Sequence, residues 1–159
     1  MIEQTKSQMN DLKLFGALKT LEQRLHEAST HGWGHAEFLS ALVTDEKLDR
    51  DVRSISRRVK AASFRTQATM ERIDFTAKRN LTKTLIRDLM TLSFVKSPRN
   101  VLITGPTGIG KTYLATALGE YACRSGFTCT FVGVHVLMEK LMMTRADGTY
   151  LKYRDRLIK

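Results

Sequence analysis

Apolar residues in the first half of the chain recur at the three- and four-residue intervals of amphipathic helices. One helix is predicted over residues 10–28, with an apolar stripe at Leu14, Leu18, Leu21 and Leu25. Gly32 and Gly34 interrupt this pattern, because glycine is unfavourable inside a helix. A second helix is predicted after the glycines, and a third over about residues 46–63, with Thr44 as its N-cap. We therefore expect a small N-terminal domain built from three helices.

The third predicted helix has an apolar face and a separate basic face. The apolar face, which we expect to be buried, consists of Leu48, Val52, Ile55, Val59 and Ala62. The basic residues that we assign to DNA binding are Arg50, Arg53, Arg57, Arg58, Lys60 and Arg65. Acids at the start and bases at the end of a helix also suit its dipole, and charged faces often contact only water. However, six bases against one acid over residues 50–65 favour contact with backbone phosphates, which would read little sequence.

The periodicity changes after residue 66. Residues 66–76 lose the helical pattern and are interpreted as a link, after which helical spacing returns at Leu81, Leu85, Leu89 and Leu92. Two short apolar segments, 100–104 and 128–134, predict strands on either side of a helix. We predict a helical, basic, DNA-binding domain over 1–66, a linker and leading helix over 67–98, and the first part of a parallel α/β domain over 99–159.

The first predicted strand leads into a phosphate-binding motif. The motif reads G-x-x-x-x-G-K-T and consists of Gly105, Pro106, Thr107, Gly108, Ile109, Gly110, Lys111 and Thr112. The glycines allow positive φ, so that backbone N–H groups approach an anion, and the helix that follows adds its positive dipole end. A lysine at this position reaches the β- and γ-phosphates, and the threonine hydroxyl binds Mg²⁺. The motif in this context predicts that the chain binds a nucleoside triphosphate.

Composition adds a second partner. The chain of 159 residues has a formal net charge of +10 and a pI near 9.9, which favours a polyanion such as nucleic acid. No apolar run is long enough to span a membrane, and the first residues lack the apolar segment of a secretion signal. We therefore expect a cytoplasmic protein without a membrane partner. The two cysteines and four histidines do not form a metal-ligand pattern.

Hydrolysis of a triphosphate requires further groups that the sequence does not supply in a recognisable place. A P-loop hydrolase needs a second acid for Mg²⁺, usually at the end of an apolar strand. The acids after Lys111 do not end such strands; they are Glu120, Glu139, Asp147 and Asp155. A parallel sheet also needs more strands than the two that are predicted. We therefore expect an α/β domain that is cut short, and we assign no catalytic residue.

The order of these segments resembles that of the IstB family, the helper ATPases of bacterial insertion sequences, which are related to DnaC-type helicase loaders. The similar features are a basic helical domain, the segment Glu71-Arg72-Ile73-Asp74-Phe75, a leucine-rich helix, the sequence N-V-L-I-T-G-P-T-G-I-G-K-T, and Arg145-Ala146-Asp147-Gly148. The resemblance implies an AAA+ fold, ATP as the nucleotide, DNA-dependent homo-oligomers and a transposase partner.

The resemblance also assigns roles to individual residues. Lys111 and Thr112 match the Walker A lysine and Mg²⁺ ligand, and Ile73-Asp74-Phe75 matches the linker that approaches the adenine. The Walker B acids, sensor residues and arginine finger of the family have no counterpart before Lys159. In AAA+ sheets the first two strands are not neighbours, so the resemblance leaves independent folding and turnover in doubt.

The leading hypothesis is an ATP-dependent, DNA-binding helper of transposition, and three alternatives stay open. A helicase loader in DNA replication would differ only in its partner. A P-loop kinase of small molecules would need an acidic or arginine-rich acceptor site, which the sequence does not show. A catalytically silent interaction module would neither bind nor hydrolyse ATP.

Overall fold

The computed structural model describes residues 2–76, 81–97 and 99–158. Within these ranges the helices are α1 (Ile2–Asp11), α2 (Phe15–His31), α3 (His35–Ala62), α4 (Lys83–Met90), α5 (Ser93–Lys96), α6 (Lys111–Arg124), α7 (Val134–Ala146) and α8 (Tyr150–Ile158). A 3-10 turn spans Met70–Arg72. Residues 77–80 and 98 of the predicted linker lie outside the described residues. The chain divides into two compact units, residues 1–57 and 58–159, and the boundary falls within α3. No helix in the described ranges is long and apolar enough to cross a membrane.

The first unit contains α1, α2 and the larger part of α3. Its apolar core consists of the buried residues Ala17, Leu21 and Leu42, against which Met9 and Phe38 pack. These residues recur at helical intervals in α2 and α3, so the stripe predicted in α2 partly faces this core. Leu25, at the far end of that stripe, is 37% exposed. The core is therefore small, and polar contacts between the helices contribute to holding them together.

A carboxylate of α3 caps the start of α2. The Oε2 atom of Glu46 accepts hydrogen bonds from the backbone N–H groups of Gly16 (2.7 Å) and Ala17 (3.2 Å), which lie in the first turn of α2. The residue before α2, Leu14, has no side-chain oxygen that could cap these groups. Burial alone would raise the pKa of Glu46, but hydrogen bonds from Arg50, Ala17 and Gly16 outweigh it and lower the pKa. Glu46 thus stabilises α2 from a helix distant in sequence.

A single α3 replaces the second and third helices that the sequence predicts. The prediction that Thr44 is an N-cap is wrong, because the helix is continuous and the Thr44 hydroxyl donates to the carbonyl of Ser40 at 2.7 Å. The two acids after Thr44, Asp45 and Glu46, instead accept hydrogen bonds from residues of α2. Asp45 accepts two hydrogen bonds of 2.8 Å from the guanidinium of Arg24 and one of 2.7 Å from the hydroxyl of Thr20. The Arg24 guanidinium holds the pKa of Asp45 below its usual range.

The apolar face predicted for α3 is only partly buried. Ala62 is fully buried, but Leu48 and Val52 are 58% and 66% exposed, so the prediction is wrong for these two residues. The helix turns Leu42 and Glu46 toward α2 instead. Leu48 follows Glu46 by two positions and therefore lies about 200° around the helix from it. One helix cannot present both faces to the same neighbour.

The second unit packs around α6. Its core residues in α6 are Leu114, Ala117, Leu118 and Ala122. The 3-10 turn adds Met70, and α4 adds Ile86, both of them buried in the same cluster. The hydroxyl of Thr82 accepts a hydrogen bond from the backbone N–H of Leu85 at 3.1 Å and so caps α4. The helix that begins at the phosphate-binding motif is therefore the centre of this unit.

The predicted parallel α/β fold is wrong for the part of the chain that the structure describes, which contains helices and connecting segments but no strand. Residues 100–104 are unpaired, and Leu102 is 87% exposed. The last residue of the second predicted strand, Val134, instead begins α7. A strand requires a neighbour that pairs with its N–H and C=O groups. Segments 100–104 and 128–134 do not pair with each other, and neither has another strand beside it in the described residues.

The segment before α7 nevertheless has the two-residue alternation of a strand. Phe127 and Cys129 pack against the core, whereas Thr128 and Thr130 between them are exposed. The backbone N–H of Phe131 donates to a carbonyl at the end of α3, at 2.8 Å, rather than to another strand. The side chains of this segment thus alternate between the core and solvent, although its backbone does not pair with another strand in the described residues.

Candidate nucleotide-binding site

The loop over residues 105–110 has the backbone conformation that its glycines predict. Gly105, Gly108 and Gly110 have φ values of +144°, +84° and +93°. Non-glycine residues rarely adopt these values, because their Cβ would clash with the adjoining backbone. At Gly108 a Cβ would meet nothing within 4 Å, so its requirement for glycine is purely conformational. The loop therefore has the shape of an anion-binding turn before any ligand is considered.

The loop leads directly into the first turn of α6. The N-cap residue is Gly110, which has no side chain that could accept a hydrogen bond from the N–H groups at this end. An anion at this position would contact these groups and the positive end of the helix dipole. Thr112 lies in the first turn with its side chain exposed. The helix start therefore offers donors and one accessible hydroxyl to a ligand.

The ammonium group of Lys111 folds back over the loop. Its Nζ donates to the carbonyl oxygens of Gly105 at 2.8 Å and Pro106 at 2.5 Å. Lys111 belongs to α6, so its position is fixed by a helix whose other residues form the core. This contact places the positive charge of Lys111 against the turn that the three glycines form.

A cavity of 370 Å³ adjoins the loop. Most of its wall is apolar and consists of Ile73, Leu81, Ile103, Ile109, Tyr113 and Leu114. Its charged residues are Arg72, Asp74 and Lys111. A largely apolar cleft with a few polar groups is typical of sites for small molecules and cofactors. An apolar wall next to a phosphate-binding turn fits a ligand with a flat base at one end and phosphates at the other.

The linker segment that the resemblance assigns to the adenine lines this cavity in part. Ile73 and Asp74 belong to the wall, whereas Phe75 does not. The hydroxyl of Tyr113, in α6, donates to the carbonyl of Thr69 at 3.3 Å and so ties the segment before the 3-10 turn to the P-loop helix. Asp74 Oδ1 accepts hydrogen bonds from the backbone N–H and hydroxyl of Thr76, at 2.8 and 2.6 Å. These contacts position the cavity wall.

Sequence reasoning did not identify Arg72, Leu81 and Tyr113 as neighbours of the motif. Leu81 was assigned to the stripe of a helix, and Tyr113 to the helix after the motif. The helical register alone could have indicated Tyr113, since it follows the motif directly. No local signal places residues 72 and 81 beside residue 111, because only the packing of the linker on α6 brings them there.

The residues present fit a magnesium ion only together with a bound nucleotide. Within the described residues no three histidine, cysteine or acidic side chains are grouped to hold a metal. Asp74 is the one carboxylate on the wall of the cavity, whereas Thr112, in the first turn of α6, is exposed and does not line it. Mg²⁺ requires six oxygen ligands and is commonly held by one or two protein groups, water and substrate phosphates. Thr112 could therefore hold the ion only if phosphates and water complete its ligands.

The acids that follow Lys111 do not line this cavity. Glu120 pairs with Arg124 at 2.7 Å, and Asp155 pairs with its neighbour Arg154 at 2.8 Å. Asp147 accepts hydrogen bonds from the hydroxyl and backbone N–H of Thr149, which lower its pKa. The structure therefore gives Glu120, Asp147 and Asp155 contacts elsewhere and places Glu139 at an exposed position of α7, so a catalytic base is not identified among the four acids.

The basic residues assigned to DNA divide into two groups. Arg50 donates to Glu46 at 2.6 Å, and Arg53 pairs with Asp49 at 2.5 Å while its guanidinium lies 5.1 Å from the ring centre of Phe15. In the second unit, Arg58 Nε donates to the carbonyl of Cys123 at 2.8 Å, near the end of α6. The second group is Arg57, Lys60 and Arg65, which are exposed and make no ion pair with any other described residue. The structure thus gives the first group contacts within the protein.

A comparison with family models matches residues 7–159 to the family of IstB-like ATP-binding proteins. This match extends over nearly the whole chain, including the helical unit that precedes the motif. The chain belongs to the IstB-like ATP-binding protein family. The family resemblance inferred from the sequence is therefore confirmed.

Individual relatives of this IstB-like chain come from several bacteria. A protein of Mycobacterium tuberculosis, named as an ATP-binding protein in an insertion sequence, is 36% identical over 145 residues, which cover 91% of this chain and 58% of that protein. A Pseudomonas fluorescens protein with a similar name is 32% identical over 160 residues, which cover 100% of this chain and 69% of the relative. A Geobacillus stearothermophilus protein is 36% identical over 121 residues, 76% of this chain and 48% of its own length. The chain thus spans between about half and two thirds of these relatives.

Proposed function

We propose that this IstB-like chain binds ATP with Mg²⁺ beside the loop 105–110, and that it binds DNA as a helper of insertion-sequence transposition. The observation that supports ATP binding most directly is the loop itself. Three glycines at positive φ, an uncapped helix start and the Lys111 ammonium converge beside a cavity with an apolar wall. The names of the relatives, which describe insertion-sequence ATP-binding proteins, agree with this ligand.

Each residue of the motif has a definite part in this proposal. The N–H groups of residues 105–110 and the start of α6 surround the phosphates, and Lys111 exchanges its two carbonyl partners for the β- and γ-phosphates. Thr112 supplies one oxygen to Mg²⁺, and the ion neutralises part of the phosphate charge when bound. Ile73 and Tyr113 form the wall against which the base packs. The segment 73–75 thereby contacts the adenine through its first two residues.

The exposed basic residues Arg57, Lys60 and Arg65 support DNA binding, because their charges are not offset by ion pairs within the described residues. Phosphate contacts of this kind position a protein on DNA without reading its sequence. Arg50, Arg53 and Arg58 contribute less directly in this proposal, since they already contact protein groups. The chain's net charge of +10 agrees with a polyanionic partner.

The proposal includes a transposase partner and homo-oligomers that form on DNA when ATP is bound. Both are proposed from what the family resemblance implies, and both concern the whole protein rather than one cavity. A pull-down with the transposase of the same insertion sequence and with the replicative helicase separates the transposition helper from the helicase loader. Capture of the helicase alone would exclude the first function in favour of the second.

ATP binding is tested by titrating the chain with a fluorescent ATP analogue in the presence of Mg²⁺. We expect Lys111→Ala to weaken binding at least about tenfold, because the variant removes the one charge placed against the phosphate turn. Lys152→Ala, an exposed lysine in α8, is the matched control and should bind like the wild type. Equal affinity of the Lys111 and Lys152 variants would refute the proposed site.

A further inference from the structure

The second unit contains another cavity, farther along α6. It has a volume of 510 Å³ and is lined by the end of α3, the connector over residues 63–69 and the C-terminal half of α6. Its charged residues are Lys60, Arg65, Glu120 and Arg124. It shares no lining residue with the cavity beside the phosphate-binding loop. The cavity is therefore separate from the phosphate-binding loop.

The charges that line this cavity are predominantly positive. Glu120 pairs with Arg124 at 2.7 Å, so these two charges offset each other, and Glu71, which does not line the cavity, lies 3.8 Å from the same guanidinium. Lys60 and Arg65 remain, and neither forms an ion pair with a described residue. The four residues together have a formal charge of +2. A cavity with this excess of cations attracts an anion rather than a neutral or cationic ligand.

The end of α6 would by itself disfavour an anion, because the carbonyl groups there form the negative end of the helix dipole. Arg58 counteracts this effect, since its Nε donates to the carbonyl of Cys123 at 2.8 Å. Arg124, in the last turn of α6, adds a second positive charge at the same end. The local electrostatics therefore do not oppose an anion as strongly as a bare helix end would.

We propose that this cavity holds a backbone phosphate of duplex DNA, bound by Lys60, Arg65 and Arg124. The inference rests on the proposed DNA binding. It adds a defined phosphate-binding site and a residue, Arg124, that sequence reasoning did not assign to DNA. Arginine and lysine are the usual phosphate ligands, and the volume exceeds that of a phosphate group, so part of the adjoining sugar also enters. One face of α6 thus contacts DNA, while its first turn contacts the nucleotide.

The first test removes a charge from the cavity. Binding of the 159-residue chain to a fluorescein-labelled DNA duplex is measured by anisotropy at several salt concentrations, without nucleotide. We expect Lys60→Ala to weaken binding about three- to tenfold at low salt and to lower the salt slope by about one. Lys140→Ala, an exposed lysine of α7 in the same unit, is the matched control and should change neither quantity.

The second test adds to the positive charge, and so does not depend on a variant that binds less. Glu120→Gln removes the nearer of the two carboxylates that pair with Arg124, leaves Glu71 at 3.8 Å, and raises the net charge of the cavity from +2 to +3. We expect this variant to bind the duplex about two- to fivefold more tightly. Glu139→Gln makes the same change at an exposed position of α7 and should leave the affinity unchanged. Thermal unfolding by circular dichroism confirms that each variant is folded.

The outcomes separate the inference from the proposed function. If the wild type binds DNA but Lys60→Ala and Glu120→Gln behave like their controls, the phosphate-binding site in this cavity is refuted, whereas the proposed DNA binding is not. If the wild type binds ATP but no DNA, both the phosphate-binding site in this cavity and the DNA part of the proposed function are refuted. Calorimetry with inorganic phosphate addresses the other source of the same group. Phosphate binding that Lys60→Ala abolishes, with DNA affinity unchanged, would identify a free anion as the ligand and overturn the inference.

Discussion

The polar contact between α3 and α2 makes a specific prediction for Glu46. Its carboxylate accepts hydrogen bonds from Gly16, Ala17 and Arg50 at 2.7, 3.2 and 2.6 Å, and the residue is 7% exposed. Glu46→Gln keeps the shape of the side chain but removes its charge. Charge-assisted hydrogen bonds contribute about 1.5–3 kcal/mol each, and neutral ones about 1 kcal/mol. Since an amide oxygen retains part of the cap, we expect a loss of roughly 1–3 kcal/mol.

The effect should depend on pH in a definite direction. The folded-state pKa of Glu46 is lowered, so ionised Glu46 contributes stability above the unfolded pKa of about 4.3. That contribution is lost as the pH falls through the folded pKa, because the Glu46 carboxylate becomes protonated. It is then neutral, like the amide of the variant. The difference between wild type and Glu46→Gln should therefore be largest near about pH 7 and shrink in acid. Asp45, whose pKa is also lowered, makes the wild-type unit lose further stability in the same direction.

Urea unfolding monitored by Trp33 fluorescence measures this effect, because Trp33 is the only tryptophan and lies between α2 and α3. Asp51→Asn is the control, since it removes the same charge from an exposed position of α3. We expect the control to change the free energy of unfolding by less than about 0.5 kcal/mol. If Glu46→Gln and Asp51→Asn are equally stable at about pH 7, the carboxylate does not cap α2 and the reasoning fails.

Three further variants and reactions test other contacts. Gly16→Ala should destabilise the first unit by about 1–3 kcal/mol despite the better helix propensity of alanine, since its Cβ would lie 2.7 Å from the carbonyl oxygen of Asp45; a more stable variant in urea would contradict this. Thr116→Val should raise stability by roughly 1 kcal/mol, because the buried hydroxyl has no hydrogen-bond partner among the described residues; a lower Tm by circular dichroism would refute this expectation. Burial raises the pKa of Cys129 to about 12, so its alkylation by iodoacetamide should be slow near neutral pH and become fast in urea; equal rates in both would disprove the burial.

Local sequence signals were sufficient wherever a few neighbouring residues decide the conformation. The glycines at 105, 108 and 110 have positive φ as the motif predicts. Two ion pairs, Arg50 with Glu46 and Arg53 with Asp49, have i,i+4 spacing and were also accessible to sequence reasoning. The comparison of bases with acids over residues 50–65 did not include Glu46 and Asp49, and it therefore missed these pairs.

The tertiary structure decided how these segments are used. Thr44, Asp45 and Glu46 have the composition of a helix start, yet the acids bind α2, because partners 21 to 30 residues earlier lie within reach only after the helices pack. The apolar segments 100–104 and 128–134 have strand character but form no sheet within the described ranges, since pairing requires a neighbouring strand. The sequence by itself determined the phosphate-binding turn, whose conformation depends on its own glycines. The cavity beside it, with Ile73, Leu81 and Tyr113, exists because distant segments pack on α6, and packing is a property of the whole chain.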